Sequence, residues 1–134
     1  MSLRFHDLMT EKDASLMNAL QLAYLGDSVW ELMVRYRLSL QKLNVHHMHK
    51  ECVNLVNAHA QHMFLQNLQI RLTETEKEIV RRGRNAHPKH ACPKNQNPDE
   101  YTSATGLEAL FGYLYLTGQD QRIEELFNTI QEVI

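Results

Sequence analysis

A chain of 134 residues, 43% hydrophobic and 22% charged, with a formal net charge of −2, has the size and apolar content of one domain with its own core and excludes a uniformly basic nucleic-acid coat, because affinity for a phosphate backbone rests on neutralising several phosphates. Cys52 and Cys92 lie far apart in unlike contexts, which excludes a disulfide framework and fits a reducing, cytoplasmic compartment. The first seven residues, Met1 to Asp7, carry no apolar run of signal-peptide length, and nowhere are there about 18 consecutive apolar residues, so the expectation is a soluble chain without leader or membrane span.

Helical periodicity runs along the chain with no strand-type alternation, which predicts an all-α fold. Asp13 or Ser15 caps the start of a long helix in which Leu25, Val29, Leu32, Met33 and Tyr36 recur at helical spacing. Val45, Met48, Cys52, Leu55, Val56 and Met63 make the next stripe. The run Thr73 to Glu76 (TETE) is a capping-box signature opening a short helix that Gly83 closes in the left-handed conformation. Residues 84–100 read as one long loop, since Pro88, Pro93 and Pro98 with four Asn or Gln residues deny it regular structure. Leu107, Leu110, Phe111 and Leu114 carry a further helix to Gly118. Asp120 caps the last helix, whose apolar face holds Ile123, Leu126, Phe127, Ile130 and Val133.

Two acids interrupt these apolar stripes. Asp27 follows Gly26 within Leu22–Glu31, and Glu108 stands among small and apolar residues from Ser103 to Leu116. An unpaired carboxylate on an apolar face costs several kcal/mol, so such residues are paired, hydrogen-bonded or bound to a cation. Both acids in one metal site is one reading; solvated acids at the edge of core helices, or partners for arginines, is the other. Glu31, one turn beyond Asp27, either faces the same way or pairs with Arg35.

Charge is unevenly distributed. From Lys77 to Asn95 the chain carries Lys77, Arg81, Arg82, Arg84, Lys89 and Lys94 against the single acid Glu78, a local basic patch suited to binding nucleic acid at one face, or simply a solvated surface. Eight histidines raise a zinc-site alternative. His46, His47 and His49, the pair His59 and His62, and His87, His90 and Cys92 all have ligand-like spacing, but no two cysteines lie near one another. Surface or supporting histidines are the alternative.

Leu25–Val29 (LGDSV) and Glu108–Leu116 (EALFGYLYL) resemble, in order, the two signature segments LGD(A/S)V and EALIGAxYL of the ribonuclease III catalytic domain. Between them Leu55–Gln61 (LVNAHAQ) is similar to the family's middle helix. Arg81–Asn85 (RRGRN) with Pro93–Asn95 (PKN) is similar to the basic segment of the short bacterial Mini-ribonuclease III subfamily. The longer enzymes carry two further acids, four residues before the signature Asp and three before the final Glu. Here those positions are Ala23 and Thr105, a departure shared with the short subfamily that leaves fewer carboxylates for metal.

The resemblance covers roughly residues 15 to 134 and implies one catalytic domain over residues 1–134, its basic segment at about 81–100, folded as a ribonuclease III-like helical unit and paired in a two-fold dimer. It implies Asp27 and Glu108 as catalytic residues and Mg²⁺ ligands. Arg81, Arg82, Arg84, Asn85, Lys89 and Lys94 are implied as RNA contacts. It further implies an endoribonuclease cutting double-stranded RNA and maturing 23S ribosomal RNA precursor ends, with a ribosomal protein as accessory partner. A chain of this length has no room for an appended RNA-binding domain, so contact with RNA is expected from the catalytic domain itself, with Tyr24, Trp30, Phe111 and Tyr113 lining the dimer interface or filling the monomer core. A catalytically silent RNA-binding or ribosome-assembly dimer is the alternative function.

Overall fold

The computed structural model describes residues 7–87 and 92–131, and every regular element among them is helical, as the periodicity predicts. Side-chain caps set most of the boundaries. Thr10 accepts from the Asp13 amide at 3.1 Å and starts the short α1 (Glu11–Ser15). Asn18 caps α2 (Ala19–Ser39), accepting from Leu20 N at 2.8 Å, so Asp13 and Ser15 lie inside α1 and do not start the long helix. Asn44 caps α3 (Val45–Val56), and the extended backbone of Asn57 both ends α3 and caps α4 (Ala58–Leu68). A 3-10 turn (Gln69–Arg71) leads to α5 (Glu74–Arg84), opened by the expected capping box: Thr73 Oγ1 accepts from Glu76 N, and Glu76 Oε1 accepts from Thr73 N at 2.9 Å. Such caps contribute about 1 kcal/mol each.

α6 (Pro98–Leu116) begins earlier than expected. Pro98 occupies the first turn, where a missing N–H costs nothing, and Asn97 accepts from the amides of Asp99 and Glu100. The connection from α5 therefore ends at Asn97, not at residue 100; Pro88, Lys89 and His90 lie outside the described residues. Gly118, at φ 73°, turns the chain in the left-handed conformation, and α7 (Asp120–Gln131) follows. Gly83 does not end α5. It lies within the helix, where a Cβ would stand 2.8 Å from the Gly106 Cα, so close packing and not a left-handed turn accounts for it.

α6 runs through the centre of the fold. From Ser103 to Leu114 every residue except Glu108 is buried, because α2, α4 and α5 all pack against this helix. A helix apolar on all sides needs such surroundings. Trp30 is fully buried on α2 with its ring 5.5 Å from Phe64, 5.3 Å from Phe111 and 5.4 Å from Phe127. Its indole N–H donates to Leu55 O at 3.2 Å. Full burial of such side chains contributes about 1.5–3 kcal/mol each.

Trp30, Phe111 and Tyr113 are thus core residues and unavailable to an interface; of the four aromatic residues considered, only Tyr24 is exposed, at 86%. The buried stripe of α2 is also rotated from the expected one. It comprises Leu22, Ala23, Gly26, Trp30, Val34 and Leu38, whereas Leu32 and Tyr36 face outward. On α7, Ile123, Leu126, Phe127 and Ile130 are buried as expected, and Val133 lies outside the described residues.

Candidate active site

Two glycines bring α2 and α6 into backbone contact. A Cβ on Gly26 would lie 1.6 Å from the carbonyl oxygen of Glu108, and one on Gly112 would lie 2.0 Å from that of Leu22. No other residue type fits at this crossing. Asp27 directly follows one glycine and Glu108 precedes the other by about one turn, so the crossing delivers both carboxyls to the same edge, within hydrogen-bond contact of each other. Asp27 is exposed there, not buried as its apolar flanks suggest, and Glu108 is half-buried.

Burial, the hydrogen bond with Asp27 and the negative charge of Asp27 together push the Glu108 carboxyl up to about 9, with the Gln61 amide opposing them. At neutral pH Glu108 therefore keeps its proton, and the pair relieves its repulsion by sharing that hydrogen. Gln61 lies on α4 and is only 2% exposed. Its Nε2 lies against Glu108 closely enough to favour the ionised form, yet has no partner in hydrogen-bond geometry. A buried amide left so costs about 1–3 kcal/mol.

Two facing carboxyls with an orphaned buried N–H beside them fit a small oxygen-seeking cation such as Mg²⁺, whose charge would replace the shared proton. Among the described residues no three His, Cys, Asp or Glu side chains gather around one metal position. The protein ligands in such a site are therefore few. Ala23 is buried in the α2 packing, and Thr105 is occupied, donating to Tyr101 O at 3.1 Å and lying 3.0 Å from His87 Nε2. Glu31 accepts from Arg35 Nη2 at 2.9 Å, which is the surface pairing its spacing allowed.

The same finding speaks to the histidines: none of His46, His47, His49, His59, His62, His87 or Cys92 joins two others in a zinc-like cluster, and His90 lies outside the described residues. Several instead line the first half of α6. His59 Nδ1 is 2.7 Å from Glu100 Oε1, and His62 Nδ1 is 2.8 Å from the fully buried Ser103 Oγ. Arg84 donates to that hydroxyl at 2.9 Å, so Ser103 holds α4, α5 and α6 at one point.

The basic residues separate into different environments. Arg81 is exposed and paired with Glu78. Arg82 is turned to the α1–α2 junction, where it donates to the carbonyls of Ser15 and Met17. Arg84 binds Ser103 and approaches Asp99 at 3.9 Å. Asn85 ends α5 and is exposed, Lys94 is exposed in the connection to α6, and Lys89 lies outside the described residues. Gln61 and His62 carry no sequence signal as site residues beyond their place in or beside the middle segment and the His59/His62 spacing, and Ser103 none beyond opening the stretch that holds Glu108.

Comparison with known proteins matches this arrangement to a family. Residues 20–119 match the Ribonuclease III domain, a span that includes both glycines and both carboxylates. The chain belongs to the ribonuclease III family. A protein of Symbiobacterium thermophilum named Mini-ribonuclease 3 is 45% identical over 86% of this chain and 88% of its own length. One of the same name from Thermoanaerobacter is 39% identical over 96% of this chain and 90% of its length. A crystal structure of a Fusobacterium nucleatum protein superposes with a TM-score of 0.81 at 30% identity, covering 90% of this chain and 96% of that one. As a member of the ribonuclease III family the chain is an endoribonuclease of that type, built on an all-helical fold.

Proposed function

We propose that the protein is a magnesium-dependent endoribonuclease that cuts double-stranded RNA, with Asp27 and Glu108 as metal ligands and catalytic residues. The observation carrying this reading is the Gly26–Gly112 crossing, which brings two carboxyls from distant parts of the chain into contact. When bound, Mg²⁺ orients and activates water for in-line attack on the phosphodiester and neutralises charge on the departing 3′-oxygen. The chain's part is to hold that charge in place: Asp27 and Glu108 would be the carboxylates that hold the ion, Glu108 releasing to solvent the proton it keeps in the metal-free pair.

Binding of the duplex falls to the basic segment. Arg81, Arg84, Asn85, Lys89 and Lys94 are the proposed backbone contacts. Arg82 belongs to the same basic segment but spends its guanidinium on two backbone carbonyls. Recognition is by duplex shape, because A-form RNA hides its base edges in a deep groove and offers phosphates and 2′-hydroxyls. The proposed substrate is 23S ribosomal RNA precursor ends, cut by a cytoplasmic homodimer with an accessory ribosomal protein, as the motif resemblance to the short subfamily implies. No helix among the described residues is long and apolar enough to cross a membrane.

The test is cleavage of an end-labelled RNA duplex with and without Mg²⁺ by wild type, Asp27→Asn and Glu108→Gln. Wild type cuts only with Mg²⁺, and each variant loses at least about 100-fold in rate while binding the duplex normally. Duplex bound but never cut by wild type supports the silent RNA-binding dimer instead.

A further inference from the structure

We infer that Gln61 is a positioning residue for the metal site: its buried Nε2–H is the fixed donor that holds the Glu108 carboxylate in the orientation needed to bind a divalent cation beside Asp27. This rests on the metal-dependent reading above. Three observations carry it. Gln61 is 2% exposed, its Nε2 has no hydrogen-bond partner, and its side chain lies against the Glu108 carboxyl.

A side chain kept at this position for packing alone would be better apolar, since a buried amide without a partner opposes folding. The neighbouring polar residue on α4 offers no substitute, because His62 is committed to Ser103. The Gln61 N–H lies beside the Glu108 carboxyl without a partner in the metal-free chain, and a Glu108 carboxylate turned toward a cation would supply its acceptor. Supporting hydrogen bonds to metal ligands are worth 10–100-fold in metal affinity as a rule.

The arrangement separates stability from metal binding. Gln61→Met keeps the side chain's length and removes the N–H. Thermal unfolding of the metal-free protein, Mg²⁺ titration calorimetry without RNA, and duplex cleavage across a range of Mg²⁺ are measured for wild type, Gln61→Met, Gln61→Leu and, as a control, Gln66→Met on the exposed side of α4. Both Gln61 variants unfold at or above the wild-type temperature, bind Mg²⁺ about tenfold more weakly, and need about tenfold more Mg²⁺ for half-maximal cutting, with near-normal rates at saturation. Gln66→Met matches wild type in all three.

A lowered unfolding temperature with unchanged Mg²⁺ affinity would make Gln61 a purely structural residue and overturn the inference. Equal Mg²⁺ affinity in all four proteins would also overturn it, while leaving the metal-dependent nuclease intact. Wild type that neither binds Mg²⁺ nor cuts with it would instead remove the reading on which the inference stands.

Discussion

Glu108 is the one residue between Ser103 and Leu114 that is not buried, and it meets Asp27 at close range while still holding a proton. The consequence for stability has a definite sign. Its carboxyl lies near 4.5 in the unfolded chain and at about 9 in the folded one. Below the lower value both states are protonated and the folded contact is undisturbed; as pH rises toward the upper value the folded state must either hold a proton that the unfolded chain has released or accept two facing charges. Stability from this group is therefore fully present in acid and lost progressively up to about pH 9. Glu108→Gln removes the titration. In metal-free protein the variant should gain on wild type between pH 5 and pH 9, the difference in unfolding temperature widening by about 3 °C or more. Subtracting the two curves cancels the histidines, which are common to both. Parallel curves would mean that Glu108 is ionised throughout.

At the scale of elements, the site depends on how closely α2 and α6 approach. Gly26→Ala would drive a methyl group into the Glu108 carbonyl at 1.6 Å, a contact with backbone that no rotamer change relieves. The helices must part, at a cost of about 3 kcal/mol or more in a packed core. Gly118→Ala is the natural comparison. It strains a left-handed turn by about 1–2 kcal/mol but meets only the flexible end of Leu8. Urea unfolding should place the Gly26 variant well below the Gly118 variant, and a Gly26→Ala midpoint equal to wild type would show that the crossing is loose.

The same crossing shows what the sequence could and could not disclose. Helices, the Thr73 capping box and the pairing of Asp27 with Glu108 were legible because each leaves a local or motif-level signal. The phase of the α2 stripe was not. Leu32 and Tyr36 are as apolar as Leu22 and Trp30, and only the position of α6 decides which set is covered. Gly83 read as a helix end because a lone glycine near a helix terminus usually is one; its true partner, Gly106, is far along the chain. Gln61 was silent for a related reason, since burial of an amide against a carboxyl depends entirely on tertiary placement.

For the molecule as a whole, the central position of α6 takes three of the four candidate interface aromatics into the core. Trp30, Phe111 and Tyr113 are interior, so the proposed dimer must use exposed side chains, and the outward face of α2 offers them beside Asp27. Tyr24 is 86% exposed, and Ser28, Leu32 and Arg35 continue that surface along the helix beside Asp27. An aromatic anchor with a polar rim is the composition of a protein interface, and a two-fold contact here would bring both carboxylate pairs to one side of the assembly, as a duplex with two strands to cut requires. Sedimentation at micromolar concentration should then give twice the 15.7 kDa of one chain. Tyr24→Glu should shift the protein to the single-chain mass while its helical content and unfolding temperature stay close to wild type, because the side chain makes little contact within its own fold. A wild-type protein that sediments only as one chain would contradict the dimer. A Tyr24→Glu variant that stays paired would place the interface elsewhere on the surface and separate the two-fold assembly from the face that carries Asp27.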